Sequence, residues 1–108
     1  MANRYKVAKA DLVNTNVTTL YTAPAATVTI IKSILVSNDS SSDDTITVTV
    51  TKASAVTSLF KLYAVDALGT EELLKQPLIV DESEIIKVTA ATANRLHVVM
   101  SFLEISRD

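Results

Sequence analysis

Threonine, valine and isoleucine, at 14, 13 and 8 residues, supply 35 of the 108 positions of this chain. Branching at Cβ costs χ1 freedom against a helical turn and suits a pleated, half-buried surface. A helical bundle is excluded on this ground, and strands are expected instead. With no cysteine and one glycine, the chain offers no disulfide framework, no thiolate metal site, no cysteine nucleophile and no glycine-rich phosphate loop. Its length suits one compact domain spanning residues 1–108.

Seven lysines and three arginines face seven aspartates and five glutamates, a net charge of −2. That balance lacks the clustered basic excess of a nucleic-acid binder. The opening Met1-Ala2-Asn3-Arg4-Tyr5-Lys6 is polar and has no apolar signal-peptide core. The longest apolar runs, such as Val98-Val99-Met100-Ser101-Phe102-Leu103, have strand length and fall far short of the ~20 residues of a membrane-spanning helix. No nucleic-acid or membrane partner is expected.

Residues 45–51 alternate most cleanly, with Ile46, Val48 and Val50 on one face and threonines on the other, so one face is core and the other wet. Residues 95–105 form a last long strand whose inner face carries Leu96, Val98, Met100 and Phe102. Residues 27–37 are apolar on both sides: Val28, Ile30, Ile34 and Val36 on one, Ile31 and Leu35 on the other. Either a bulge shifts the register midway or both faces are covered. Residues 17–22 are extended up to Ala23-Pro24, at a turn or on an edge. Residues 58–65 and 84–90 read as further strands, and residues 71–81 as an extended approach to a short strand, with a helical turn at 71–75 as the rival. Residues 1–12 read as a first strand or an extended arm, with Tyr5 and Val7 pointing one way.

Between these segments, Asn38-Asp39-Ser40-Ser41-Ser42-Asp43-Asp44 reads as a solvent loop, residues 52–57 as a small-residue connection, and residues 81–83 as a turn. The lone Gly69 marks a hairpin bend at a positive-φ position. Seven or eight strands spaced by about ten residues, without a helix of packing length, predict an all-β antiparallel β-sandwich. Its connectivity is expected to be immunoglobulin-like or jelly-roll, with a small barrel as the alternative.

His97 alone has an ordinary pKa suited to proton transfer near neutrality. Without a nucleophile elbow, it reads as an outer-face or interface histidine. Asp39, Ser41, Asp43 and Asp44 have oxygen spacing compatible with calcium but lack the glycine and distal glutamate of an EF-hand loop, so a solvated hairpin loop is the expectation. Asp81, Glu82 and Glu84 read as a charged turn. No catalytic residue, metal or cofactor is assigned, and no enzyme is expected. The five aromatics, Tyr5, Tyr21, Tyr63, Phe60 and Phe102, are a thin supply for a carbohydrate-binding module, the more remote alternative. The segment with an interaction feature is the mildly basic start, Arg4, Tyr5, Lys6 and Val7, because extended termini add strands to neighbouring sheets.

In chain order, Thr19-Leu20-Tyr21-Thr22-Ala23-Pro24-Ala25, Ile31-Lys32-Ser33-Ile34-Leu35-Val36-Ser37-Asn38, the serine-rich loop, Thr47-Val48-Thr49-Val50 and Arg95-Leu96-His97-Val98-Val99-Met100-Ser101 make up one pattern. The pattern resembles a family of small virion structural proteins of tailed bacteriophages, over about residues 18–105. Ala26 stands where a glycine commonly follows the Pro-Ala pair in that family. The resemblance implies a non-enzymatic assembly component made in the host cytoplasm and carried on the virion. The first expectation is a decoration or cement protein on the capsid surface, a homo-oligomer, trimeric for preference, bound to the major capsid protein. The second is a neck, tail or baseplate component.

Overall fold

The computed structural model describes residues 2–106, which form nine strands and no helix. They are β1 (Ala2–Leu12), β2 (Thr18–Thr22), β3 (Thr27–Asn38), β4 (Asp44–Lys52), β5 (Ala55–Val65), β6 (Thr70–Glu72), β7 (Leu78–Val80), β8 (Ile85–Ala90) and β9 (Leu96–Ser106). Every ladder is antiparallel. One sheet runs β1-β9-β3, with β6 and β7 sharing the far edge of β3, and the other runs β2-β8-β4-β5.

The pairing is nested. β1 pairs with β9, β2 with β8, β3 with β7 and β6, and β4 with β5. The chain is thus one long hairpin folded back on itself, with successive rungs assigned to opposite sheets. Pairing of β9 with β3 and of β8 with β4 closes each sheet. This is jelly-roll connectivity, with β6 and β7 acting as one interrupted strand. The β-sandwich expected from the sequence is present, and of the connectivities left open it takes this one.

The core lies between the sheets. β9 contributes Leu96, Val98, Met100 and Phe102, the four residues expected on its inner face, and β4 contributes Ile46 and Val48. In β3 the pattern is resolved by a bulge at Lys32. Ile31 pairs with Phe102 and Ser33 with Ser101, leaving Lys32 as the extra residue. Thr27, Thr29 and Ile31 are buried before it, and Ile34, Val36 and Asn38 after it.

Several local expectations are corrected. Gly69 has no positive φ; Leu68 takes that conformation instead, at φ 58°. The glycine serves close approach, since a Cβ there would lie 3.1 Å from the Asp66 carbonyl oxygen. Nor is the bend a hairpin, because β5 and β6 belong to different sheets. The connection expected at 52–57 shrinks to Ala53-Ser54, with Lys52 paired to Ala55 and Ala53 at φ 54°. Residues 71–75 hold the end of β6 and a non-helical connection. The 38–44 segment crosses between sheets rather than forming a hairpin, and both of its ends are buried. There Asn38 donates to the carbonyls of Ser42 and Val65 and accepts from the backbone N–H and hydroxyl of Ser40, which replaces water for its amide.

Ala26 sits at φ 55°, the left-handed turn that a glycine would adopt without strain. Ala26→Gly is therefore expected to stabilise the protein by about 0.5–1 kcal/mol, read as a higher midpoint in urea at unchanged slope.

Candidate functional site

β1 is an edge strand. Its eleven residues pair with β9 without interruption from Ala2↔Ser106 to Leu12↔Leu96. Among the described residues no strand pairs with its other side. The pleat divides the four residues singled out in the sequence. Tyr5 and Val7 lie on the outer face, 80% and 54% exposed. Arg4 and Lys6 take the alternate face, where Lys6 Nζ lies 2.9 Å from Glu104 Oε1. The other ends of the sheets differ from β1. β5 is irregular where Lys61 and Leu62 oppose Thr47 and where Leu59 is left over, and Leu62 is held at φ 53°. β2 is short and shifts register at Leu20.

The outer face of the β1-β9-β3 sheet is apolar over one half. Tyr5 pairs with Leu103, Leu103 with Ile30, and Ile30 with Ile79, forming one row across four strands. Val28 and Ile105 form the row on one side of it, and Leu35 and Val99 a row farther on the other. Ile79 and Leu35 are exposed at 59% and 39%, Val28, Ile30, Val99 and Ile105 are half-buried, and Leu103 at the centre is buried. This face was not anticipated. Its signal was the second apolar side of residues 27–37, which the bulge only partly accounts for.

The far end of the same face is polar and centred on His97. Its Nδ1 lies 2.7 Å from Asp11 Oδ1 of β1, and its Nε2 lies 2.9 Å from Asp39 Oδ2 of the β3–β4 crossing. Two carboxylates can both accept only from an imidazolium. The hydrogen bond to Asp11, then that to Asp39, raises the His97 pKa above its ordinary value near 6.5, against a smaller opposing effect of burial. A proton held more tightly in the folded state stabilises fully below about pH 6.5, and that contribution disappears as pH rises through the raised value. Thermal midpoints should therefore fall over that rise in the natural protein and stay flatter in His97→Ala. The two aspartates sit on opposite ring nitrogens, so the arrangement ties β1 to the crossing without converging on a ligand.

The other acidic residues are separated by their partners. Asp43 accepts from the Ala67 N–H, and Asp44 from the N–H groups of Thr45 and Thr92. Glu84 accepts from the Asp81 N–H across the β7–β8 turn, and Glu82 from the Ala26 N–H. Among the described residues no group of three acidic or histidine side chains is placed to hold a metal ion.

A buried polar cluster was missed by the sequence reading. Glu104, only 7% exposed, accepts a hydrogen bond of 2.6 Å from the Tyr21 hydroxyl, which also lies 2.8 Å from Thr29 Oγ1. Burial, then the hydrogen bond to Glu104, pushes the Tyr21 hydroxyl well above the ordinary phenol range. Burial pushes the Glu104 carboxyl up, but hydrogen bonds from Tyr21 and Lys6 and the charges of Lys6 and Arg4 outweigh it, leaving the group below its usual range. A glutamate within Phe102-Leu103-Glu104-Ile105 was the available sign, since a charge in an apolar strand needs a partner.

No family model matches the chain, and no curated protein does. Among solved structures, a chain of the disulfide-linked pili formed by Bacillus endospore appendages is similar, with a TM-score of 0.61 over 99% of this chain and 88% of that one, at 6% identity. The similarity is one of fold. The present 108 residues contain no cysteine, so they supply no counterpart to a disulfide linkage.

Proposed function

We propose that this chain is a non-enzymatic structural protein that works by assembling with copies of itself and with a larger particle. The observation that carries this reading is the long, regular edge of β1, which has no strand partner among the described residues, beside a partly exposed apolar sheet face. Such an edge offers backbone hydrogen bonds to a partner, and such a face loses water favourably on contact. The shared fold with a pilus subunit is compatible with the reading, and the resemblance of residues 18–105 to small virion proteins of tailed bacteriophages narrows it. The particle proposed is a phage head, with the chain as a decoration or cement protein bound to the major capsid protein on the outer surface.

Antibody labelling of intact purified particles tests this proposal. Label distributed over the head shell is the expected result. Label confined to the neck, tail or baseplate would replace the capsid assignment with the alternative position. Absence of the chain from every particle fraction would overturn the structural reading.

A further inference from the structure

The geometry points to β1 as a self-pairing edge: a second copy of this chain sets its own β1 antiparallel alongside, about a two-fold axis at Val7, and joins the two sheets into one. The inference rests on the structural reading above and names its contact. β1 presents eleven residues in unbroken register, and its free side carries a row of N–H and C=O groups with no strand partner among the described residues. β5 has bulges that twist an edge away from pairing. β6 and β7 have three residues each. Among the described strand edges, β1 is the one suited to continuous addition.

The side-chain pattern of β1 accommodates a second copy as occupant in one register. Residues opposite each other in an antiparallel pair project to the same face and interact directly. With the axis at Val7, the two Val7 side chains meet, Tyr5 meets Lys9, and Asn3 meets Asp11 on the outer face. On the other face Lys6 meets Ala8, and Arg4 meets Ala10. No like charges stand opposite, the Lys9 ammonium reaches the Tyr5 ring, and the Asn3 amide can donate to Asp11. The two Lys6 groups are diagonal neighbours, and each is already bound to its own Glu104. Moving the axis to Lys6 would place that lysine against its own symmetry mate. Moving it to Ala8 would set Val7 against Lys9 and Tyr5 against Asp11, wasting both apolar side chains. At Val7 the axis also continues the Tyr5–Leu103–Ile30–Ile79 row through Lys9 of the second copy into its Val99–Leu35 row. The contact is isologous, so it closes as a dimer.

The absence of cysteine makes the test direct, because a single introduced thiol can form only an intermolecular disulfide. Val7→Cys, Tyr5→Cys, Lys9→Cys and a Leu62→Cys control on β5 are prepared in the full chain and oxidised mildly at micromolar concentration. Val7→Cys should convert largely to a covalent dimer. Tyr5→Cys and Lys9→Cys should cross-link poorly alone and well when mixed. Val7→Lys should weaken the sedimenting dimer at least tenfold. Cross-linking of Val7→Cys no better than the control, or a mixture no better than its components, would overturn the register. A trimer in sedimentation without Val7 cross-linking would overturn the two-fold edge and leave the structural reading standing. A monomer still found on particles would do the same. A monomer absent from particles would overturn both.

Discussion

Deletion of Leu35 should destabilise the chain far more than deletion of Lys32, three residues earlier in the same strand. Both remove one residue from β3. In a strand, however, the side-chain period is two, and one residue gained or lost exchanges the faces of everything beyond it. Lys32 is the extra residue of the bulge. Without it, Ile31, Ser33 and Ile34 would meet Phe102, Ser101 and Met100 in regular succession, and the buried set Thr27, Thr29, Ile31, Ile34, Val36 and Asn38 would keep its face. The loss would be a local twist and some edge contact, about 2 kcal/mol or less. Without Leu35, Val36 and Asn38 would point to solvent, or the N-terminal half would turn out Thr27, Thr29 and Ile31, or the bulge would be used up and buried Ile34 turned out in exchange for Ser33. Each aliphatic residue expelled costs about 1.5–3 kcal/mol. In the first case the buried Asn38 network would be lost as well, at about 1–3 kcal/mol for each group left unpaired. Each of these registers removes a substantial part of the roughly 5–15 kcal/mol by which a domain is stable. Circular dichroism during urea titration distinguishes the outcomes: a modest drop in midpoint for the Lys32 deletion and a much larger one for the Leu35 deletion. Equal midpoints would contradict the assigned register.

The same period explains which parts of the fold could be read in advance. Residues 45–51 alternate with threonines on the opposite side, so Ile46 and Val48 declare their faces without knowledge of the neighbouring strands, and in residues 95–101 Arg95, His97 and Ser101 do the same for Leu96, Val98 and Met100, with Val99 as the exception. Residues 27–37 do not, because β3 combines a bulge with an apolar outer face, and either alone would give a two-sided pattern. The turns were obscure for a different reason. Left-handed backbone is carried by Ala26, Ala53, Leu62, Leu68, Ser83 and Asn94, and alanine or leucine gives no compositional sign of positive φ. Gly69 drew attention for that conformation while serving close approach. The polar clusters were hidden by distance along the chain. Tyr21 and Glu104 are 83 residues apart, and His97 is 86 from Asp11 and 58 from Asp39. The nested pairing of β1 with β9, the pairing of β9 with β3 and the stacking of β2 under that sheet bring them together. The segment holding Arg4, Tyr5, Lys6 and Val7 was correctly seen as extended, but the pleat gives its members two separate tasks: two face solvent and one anchors Glu104.

That anchor leads to the second large effect. Tyr21→Phe should lower stability by about 2–4 kcal/mol, because removing one hydroxyl strips hydrogen bonds from two buried groups, the Glu104 carboxylate and the Thr29 hydroxyl. For a domain of this size the thermal midpoint should fall by roughly 10–25 °C. The ring remains, so its contact with Phe102, at 4.4 Å between centroids, is retained. The pH profile separates this explanation from lost packing. In the natural protein Glu104 has a lowered pKa, so its contribution is present above the unfolded carboxylate value and is lost as pH falls through the folded one. In Tyr21→Phe the opposing effect of burial gains weight and Glu104 holds its proton more readily. The stability gap should then narrow as the solution is acidified, whereas a packing defect would keep it constant. Adding Glu104→Leu to Tyr21→Phe should recover much of the loss near neutral pH, since an apolar side chain requires no donor where a buried carboxylate does. Urea denaturation of the natural chain, both single variants and the double variant at neutral and acidic pH supplies the comparison. A double variant no more stable than Tyr21→Phe alone would show that the hydroxyl serves something other than Glu104.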